Sequence, residues 1–455
     1  MYLMQNFFQT PDCGLNLITS LLFSDHEEAC EEMRKQAKDA LTKYRNENRS
    51  GEKFELEDDG DQVHVKGICF RDSWIVSEIG DEPTRRQSKD LIPEGCKYIF
   101  AGAKKTLVGN GVDVYFPATM KPNDCFEDKF YRYTYDENDG LSVKVLRKDR
   151  AVYGPLLKSI CGKPLKSMYM AFHGCKEMRV APEIPESVTN MSCAFCYCEQ
   201  LATTPNVPAG VTQMSFAFCG CDSLTVAPLI PDGVDNINSI FDHTPIKSYV
   251  GSTDPDGDFL GYKIPDAVTN MIAAFSGCEF LVKAPMIPAN VKEMAWAFNE
   301  CKSLVLAPLL PDGVVEMRGV FDSCVSLKSY VGSTDPDGDF SGYKIPDGVM
   351  DLSFAFGHCK LMEKAPWIPD SVTEMRSTFV RCTSLAKAPT SPANVVNMGE
   401  LQYEDGTFCG CTNLTGTLIC HANPTKYKWA LRDTKITAIE GSCTEETKTA
   451  LLATK

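Results

Sequence analysis

The sequence lacks a long apolar run. No stretch reaches the roughly 18 consecutive apolar residues that a membrane-spanning helix requires, so a membrane protein is not expected. The N-terminus has no basic segment ahead of its apolar residues and no small-residue cleavage site, which argues against a secretory signal. We therefore expect a soluble protein that stays in the cytoplasm.

Histidine is scarce, with six in 455 residues. None lies in a nucleophile, zinc or phosphate-binding motif, and the chain has no Walker A, G-x-G-x-x-G or G-x-S-x-G sequence. His26 and Cys30 share a face of a predicted helix, but two solvated residues are a simpler interpretation than a catalytic pair. We therefore expect no enzyme, no catalytic residue and no cofactor.

Positive charge is in deficit, because 46 Lys and Arg face 61 Asp and Glu and leave a net charge of -15. A chain of this charge is repelled by nucleic-acid phosphates and by anionic membranes, so neither is expected as a direct partner. A basic protein surface is the better electrostatic match. Solubility alone also accounts for an acidic composition.

Self-similarity is abundant. A 23-residue repeat, I-P-x-x-V-x-x-M-x-x-A-F-x-x-C-x-x-L-x-x-A-P-x, recurs from about residue 160 to 420. Its Phe position holds Phe172, Phe195, Phe218, Phe241, Phe275, Phe298, Phe321, Phe356, Phe379 and Phe408. Its Cys position, three residues later, holds Cys175, Cys198, Cys221, Cys278, Cys301, Cys324, Cys359, Cys382 and Cys411, with Thr244 in the remaining repeat.

One repeat is too short to enclose its own Met, Phe, Cys and Leu side chains, so neighbouring repeats must stack and share a core. We predict that the Phe and Cys positions form buried columns in a solenoid of short strands and turns, because two prolines in most repeats would interrupt a long helix. Cys suits such a column because it is small and apolar. The clustered thiols at 193–198, 219–221 and 409–411 are therefore interpreted as structural, since no second C-x-x-C pair follows the one at 193–196.

The repeat at 368–389, IPDSVTEMRSTFVRCTSLAKAP, resembles the BspA-like leucine-rich repeat family of bacteria and phages. The resemblance covers roughly residues 165–415, and the tail from 421 is similar to C-terminal caps in repeat proteins of gut bacteria and their phages. It implies a leucine-rich-repeat solenoid. The family serves adhesion, host contact and other binding tasks, so the resemblance implies binding without naming a partner.

The predicted fold class is α+β, with three parts along the chain. A separate N-terminal α+β domain is expected at 1–150, the leucine-rich-repeat solenoid at 151–417 and a C-terminal cap at 418–455. The N-terminal part does not show the repeat.

Local patterns give the N-terminal part its predicted elements. Ser24 and Glu27 form a capping box ahead of a helix at about 25–46, whose apolar positions recur at helical spacing. Those positions are Met33, Ala37, Ala40, Leu41 and Tyr44. The alternating sequences KFELE, QVHVKGICF and SWIVSEI predict strands.

Two repeats carry nearly identical insertions, SYVGSTDPDGDFLGYKIPDAV at 248–268 and SYVGSTDPDGDFSGYKIPDGV at 329–349. Their spacing equals two short repeats and one long one, which indicates that a three-repeat block was duplicated. Insertions of this kind emerge on one side of a solenoid and often bind. The residues that we predict to contact a partner are Tyr249, Asp254, Asp256, Asp258, Phe259, Tyr262, Tyr330, Asp335, Asp337, Asp339, Phe340 and Tyr343.

The predicted roles of the aromatic residues and of the aspartates each have an alternative. Aromatic residues are enriched at interface hot spots, but these rings could instead fold back over the solenoid edge and anchor the insertion. The D-P-D-G-D segment resembles a calcium loop, yet Gly257 and Gly338 fall at the wrong position for an EF-hand. Asp-Pro-Asp-Gly is also ordinary turn chemistry, and we favour the turn and expect no metal.

The leading hypothesis is a non-enzymatic protein that holds a large protein partner on its solenoid, such as a phage or mobile-element inhibitor or adaptor of a host protein. One alternative is a cell-surface or virion adhesin that binds a receptor, which predicts export. Another is an enzyme in residues 1–150 that uses His26, Cys30 or His64, with the repeats selecting its substrate.

Overall fold

The computed structural model describes the backbone of residues 2–10, 14–23, 31–39, 55–58, 62–66, 71–78, 125–127, 130–136, 140–160, 163–252, 259, 261–333, 340–399 and 406–455. Side chains are described in these ranges except in the strands up to residue 127. The chain divides into two compact bodies. The first comprises 1–147, 153–171 and 182–188, and the second comprises 148–152, 172–181 and 189–455.

An antiparallel five-stranded sheet occupies the start of the first body, in the order β2-β1-β5-β4-β3. Its strands are β1 Tyr2–Thr10, β2 Gly14–Phe23, β3 Glu55–Asp58, β4 Gln62–Lys66 and β5 Arg71–Glu78. Strands β3, β4 and β5 overlap the alternating sequences at 53–57, 62–70 and 73–79 that predicted them. No element was predicted for the β1–β2 hairpin.

A helix, α1, spans residues 31–39 within the predicted range of 25–46. It buries Met33 and Ala37, two members of the predicted apolar face. The capping residues Ser24 and Glu27 lie outside the described residues. A separate α+β domain at 1–150 stays a prediction.

A second five-stranded sheet completes the first body, in the order β6-β7-β8-β10-β9. Its strands are β6 Cys125–Glu127, β7 Tyr131–Asp136, β8 Gly140–Val145, β9 Ser159–Ile160 and β10 Lys163–Ser167. Alternate side chains of β7 and β8, Tyr131, Tyr133, Leu141 and Val143, are buried, as the two-residue period of a strand requires.

The repeats pair in parallel, as stacked turns of one solenoid. The longer pairings join β11 Val226–Ala227 to β12 Ser248–Tyr249, β13 Leu306–Ala307 to β14 Ser329–Tyr330, β15 Asn397–Gly399 to β17 Lys426–Tyr427, and β16 Thr415–Ile419 to β18 Lys435–Glu440. Elsewhere neighbouring repeats meet at single parallel bridges such as Glu293 with Glu316. This is the predicted solenoid of short strands and turns.

The segment around each Phe folds as consecutive turns. Trp296 and Glu300, two residues before and after Phe298, have φ of 60° and 56°. These left-handed residues bring alternate N–H groups into line with the next repeat, so that Trp296 and Phe298 donate to the carbonyls of Arg318 (2.8 Å) and Val320 (3.0 Å). The same pair of left-handed positions recurs in most repeats. Backbone donors that a turn would leave unpaired are therefore satisfied along the stack.

The Phe side chains form the predicted buried column. All ten are fully buried, and the ring centroids of successive members lie 5.4–6.0 Å apart. Most neighbouring rings are within 18° of parallel. Phe241 with Phe275 (42°) and Phe321 with Phe356 (33°) are tilted, and these two steps cross the long repeats.

The Cys side chains form a second buried column with a hydrogen-bonding role. The thiol of Cys301 donates to the carbonyl of Phe275 (3.1 Å), and the other members from Cys198 onward make the equivalent bond. Thr244, the exception in sequence, donates through its hydroxyl to the carbonyl of Phe218 (2.6 Å). The position therefore requires a small donor rather than simply a small apolar residue.

The predicted cap at 418–455 contains one more repeat. Leu431 takes the Phe position, because Trp429 and Asp433 on either side have φ of 62° and 61°. Its N–H donates to the hydroxyl of Thr454 (3.1 Å), whereas the equivalent N–H of other repeats donates to the next repeat. Thr454 follows the helix α2, Glu445–Leu452, which buries Leu451. Helix α2 and the residues after it thus act as the cap.

Candidate functional site

The two insertions are anchored by buried aromatic rings. Phe259, Tyr262, Phe340 and Tyr343 are at most 1% exposed. The Tyr262 hydroxyl donates to the carbonyl of Pro228 (2.6 Å), and Tyr343 makes the same bond to Pro308 (2.8 Å). Burial raises the pKa of both tyrosines well above its ordinary value, so they remain neutral donors.

Tyr249 and Tyr330 complete two matching three-ring clusters. Each is partly buried, with its ring centroid 5.3 Å from that of Tyr262 or Tyr343. The structure therefore corrects the partner-binding assignment for the four buried rings, since side chains that anchor an insertion are closed to a partner. The tyrosines contact the preceding repeat, whereas Phe259 and Phe340 pack against Phe275 and Phe356, which follow them in the chain. The six predicted carboxylates, Asp254, Asp256, Asp258, Asp335, Asp337 and Asp339, lie outside the described residues.

A row of exposed apolar side chains runs along the second body. It occupies the position two residues before the Pro of each I-P pair. The members of this apolar row are Leu229 (52% exposed), Met286 (73%), Leu309 (58%) and Trp367 (55%). The following Ile230 and Ile368 are buried, and Ile287 and Leu310 are partly buried, so alternation in an extended segment turns the row outward.

The two long repeats place lysine at the same position. Lys263 pairs with Asp232 (2.7 Å) and Lys344 with Asp312 (2.6 Å). Both lysine pKa values are raised, first by the hydrogen bond to the carboxylate and then by its charge. Across six consecutive repeats the position therefore holds Leu229, Lys263, Met286, Leu309, Lys344 and Trp367.

A row of exposed carboxylates lies beside the apolar row. This acidic row consists of the residues that follow the Pro of the I-P pair, namely Asp232, Asp266, Asp312, Asp347 and Asp370. The Lys263–Asp232 and Lys344–Asp312 ion pairs show that the two rows are neighbours. Apolar contact area and negative charge are thus presented together.

An open cleft lies at the Trp367 end of the row, with a volume of about 280 Å³. Its walls are formed by Trp367, Ile368, Asp370, Thr390, Pro392, Ala393, His421 and Ser442. The backbone N–H of Ser442 donates to Nδ1 of His421 (3.2 Å), so Nε2 is the ring nitrogen that carries a proton in this tautomer. The cleft combines an exposed indole, one carboxylate and several polar groups.

The clustered thiols are structural in this arrangement. Cys196 and Cys219 are 4% and 5% exposed, and burial raises the pKa of the neighbouring Cys193. A thiol that stays protonated is a poor nucleophile and a poor metal ligand. In the part of the chain that the structure describes, no three His, Cys, Asp or Glu side chains are grouped to hold a metal ion.

The histidines differ in their surroundings. His243 is exposed, whereas His173 and His358 are partly buried, and Nδ1 of His358 lies 3.0 Å from an Asp322 carboxylate oxygen. His26 and Cys30 lie outside the described residues, and the side chain of His64 is not among the described ones. Among the described residues, no helix has the length and apolarity to cross a membrane.

The apolar row was missed by sequence reasoning, although the sequence holds a signal for it. The motif Pro-x-Ile-Pro, or its Leu variant, carries Leu, Met, Leu and Trp at x in the four repeats of the row. An extended segment with a buried Ile must turn its neighbour outward. A large apolar residue there is consequently exposed.

Two solved structures are similar to this chain. A leucine-rich repeat protein from Bacteroides ovatus ATCC 8483 covers 70% of this chain and 80% of its own, with 20% identity and a TM-score of 0.42. A leucine-rich repeat protein from T. pallidum covers 44% and 79%, with 26% identity and a TM-score of 0.29. No family model and no curated protein matches the sequence. The BspA-like assignment therefore stays a prediction, and the solenoid rests on this chain's own contacts.

Proposed function

We propose that this chain is a non-enzymatic repeat protein that binds another protein through its apolar and acidic rows. The observation that carries the proposal is the apolar row, in which four large side chains are each more than half exposed at one position of the stack. The row is interrupted by Lys263 and Lys344, and only Met286 and Leu309 lie in adjacent repeats. Exposed apolar side chains that recur at one position of a stack, rather than being scattered singly, are a feature of interaction sites. These side chains contribute little to the core, so covering by a partner accounts for them better than stability does.

The rows define the chemistry of the partner. Repeats stack at roughly 4.8 Å, so the five steps from Leu229 to Trp367 span roughly 24 Å, the length of about seven extended residues. The acidic row and the net charge of -15 favour a partner segment that carries Lys or Arg beside apolar side chains. This agrees with the basic surface expected from composition.

The more specific form of the proposal is an inhibitor or adaptor that occupies a basic groove of a host protein in the cytoplasm. The same rows would serve an adhesin against an extracellular receptor. The identity of the bound protein separates the two, because an adhesin requires a partner outside the cell.

Site-specific photo-cross-linking tests the proposal. A benzoyl-phenylalanine at Met286 is expected to cross-link one protein from a cell lysate, at a peptide that contains Lys or Arg. The matched control places the same group at Phe280, which is 46% exposed and outside the row. Equal labelling from both positions, attachment to acidic peptides, or attachment only to a second copy of this chain would contradict the proposal.

A further inference from the structure

The cleft beside Trp367 is the third copy of an arrangement that the chain uses twice to hold a lysine. In the first copy, Leu229 is followed by Asp232, whose carboxylate pairs with Lys263 from the next repeat (2.7 Å). In the second, Leu309 is followed by Asp312, which pairs with Lys344 (2.6 Å). In both, a carboxylate beside an exposed apolar residue receives a cation from the neighbouring repeat.

The third copy lacks its cation. Trp367 takes the place of the leucine and Asp370 that of the aspartate, but the next repeat supplies Thr390 where the other copies have lysine. The Asn394 amide donates to the backbone carbonyl of Asp370 (2.7 Å), not to its carboxylate. Within 340–399 and 406–455, no side chain forms an ion pair or hydrogen bond with that carboxylate. Asp370 and Trp367 are thus both open to another molecule.

We propose that this cleft receives a basic side chain of the protein partner, arginine in preference to lysine, in the role that Lys263 and Lys344 play in the other copies. The proposal rests on the proposed function and identifies one anchor of the bound segment. Trp is the strongest aromatic partner for a cation, and Trp and Arg are the residues most enriched at interface hot spots.

Two features of the cleft favour arginine. A planar guanidinium stacks on an indole face while its N–H groups bind a carboxylate in a fork, whereas an ammonium group offers only a point charge. In the first two copies the lysine follows a leucine, which cannot stack with a cation. Lys344 also neighbours Trp367 across a parallel bridge, but its ammonium group is paired with Asp312 of the preceding repeat (2.6 Å). The change from leucine to Trp367 coincides with the loss of the internal lysine.

Fluorine NMR of the full chain labelled with 5-fluorotryptophan can observe this binding directly. The chain has four tryptophans, and Trp367→Phe identifies the resonance of interest. We expect acetyl-Gly-Arg-Gly-amide to shift the Trp367 resonance in a saturable manner. The lysine peptide should bind more weakly, and the citrulline peptide, which keeps the shape and loses the charge, should cause about a tenfold weaker response.

Two variants test the assignment to the third copy. Asp370→Asn should weaken the arginine response about tenfold, whereas Asp266→Asn makes the same charge change four repeats away and should not. Thr390→Lys should abolish the response, because it supplies the internal cation of the other two copies. Asn206→Lys places the same charge at the same repeat position far from the cleft and should leave the response intact.

Some results would overturn the inference. They are the absence of a Trp367 shift with any of the peptides, equal responses to arginine and citrulline, or equal losses in Asp370→Asn and Asp266→Asn. A normal response in Thr390→Lys would also do so. Because this experiment uses free peptides, its failure leaves the cross-linking test of the rows unaffected, and the two proposals can fail separately.

Discussion

Phe298 and Met286 lie in adjacent repeats and are both large and apolar, yet one is fully buried and the other is 73% exposed. Phe298 occupies a position that is Phe in short and long repeats alike. Met286 occupies one that changes from repeat to repeat and includes Lys263 and Lys344. A position that holds Phe in ten repeats serves the stack, which all repeats share. A position that varies is not constrained by the stack, and we propose that it serves binding.

The duplicated block sharpens this contrast. The apolar row repeats as Leu-Lys-Met and then Leu-Lys-Trp, in step with the two insertions. The lysines sit where the insertions re-enter the stack, and their neighbours Tyr262 and Tyr343 are buried anchors. One set of inserted residues therefore stabilises the fold while the adjacent position shapes the surface.

Truncation of the interior column should have the largest effect. Phe298→Ala removes a fully buried ring from between Phe275 and Phe321, and should lower the free energy of unfolding by about 3–5 kcal/mol in urea denaturation. Met286→Ala should change it by no more than about 0.5 kcal/mol. Similar losses in the two variants would erase the distinction between interior and surface.

Two glycines with positive φ allow the same comparison between interior and surface to be made in the turns. Gly319 has φ of 60°, and an added Cβ would overlap the Trp296 ring. Gly251 also has positive φ, 86°, but nothing lies within 4 Å of an added Cβ. Gly319→Ala should therefore cost about 1–3 kcal/mol more unfolding free energy than Gly251→Ala. Equal costs would mean that backbone strain alone, and not the contact with Trp296, is responsible.

Stability should fall at alkaline pH because of the buried thiols. Burial raises the pKa of Cys301 well above its ordinary value, so the folded chain keeps a proton that the unfolded chain releases above about pH 8.5. The stabilisation is present below that pH and is lost as the pH rises, by about 1.4 kcal/mol per pH unit for each thiol. Cys301→Ser keeps a donor that does not titrate, so its urea midpoint should depend less steeply on pH between 8 and 10. Identical slopes would contradict the assignment.

The anchoring tyrosines should show the smallest effect. Tyr343→Phe removes the hydroxyl bonded to the Pro308 carbonyl and should cost about 1–2 kcal/mol of unfolding free energy. Tyr330→Phe, in the same ring cluster but only partly buried, should cost less than about 0.5 kcal/mol. A larger loss of unfolding free energy in Tyr330→Phe than in Tyr343→Phe would contradict the assignment of Tyr343 as the buried anchor.

The sequence predicted the stacked interior because its columns recur at a fixed spacing and one repeat cannot bury them alone. It left the role of the insertion aromatics open, since the buried hydroxyl of Tyr262 bonds to Pro228, far earlier in the chain. The residues with left-handed backbone conformation could not be predicted from the sequence, because most of them, such as Trp296 and Glu300, are not glycine. Thr244 looked like an exception until its hydroxyl was found bonded like the thiols.

The proposed binding surface was harder to predict for a different reason. An exposed leucine or methionine within an apolar motif looks like core, and only the burial of Ile230 and Ile368 shows which side faces solvent. The acidic row was also hidden, because each Asp lies in an ordinary turn sequence. Position relative to the stack, rather than residue type, distinguishes these residues.

The most direct test of the account is the affinity of the cross-linked partner for a chain that carries Leu229→Ser, Met286→Ser, Leu309→Ser and Trp367→Ser together. We predict at least about a hundredfold weaker binding, because the large side chains at an interface centre carry most of its energy, with little change in the urea midpoint. Unchanged affinity in a folded variant would contradict the claim that the apolar row is the binding surface.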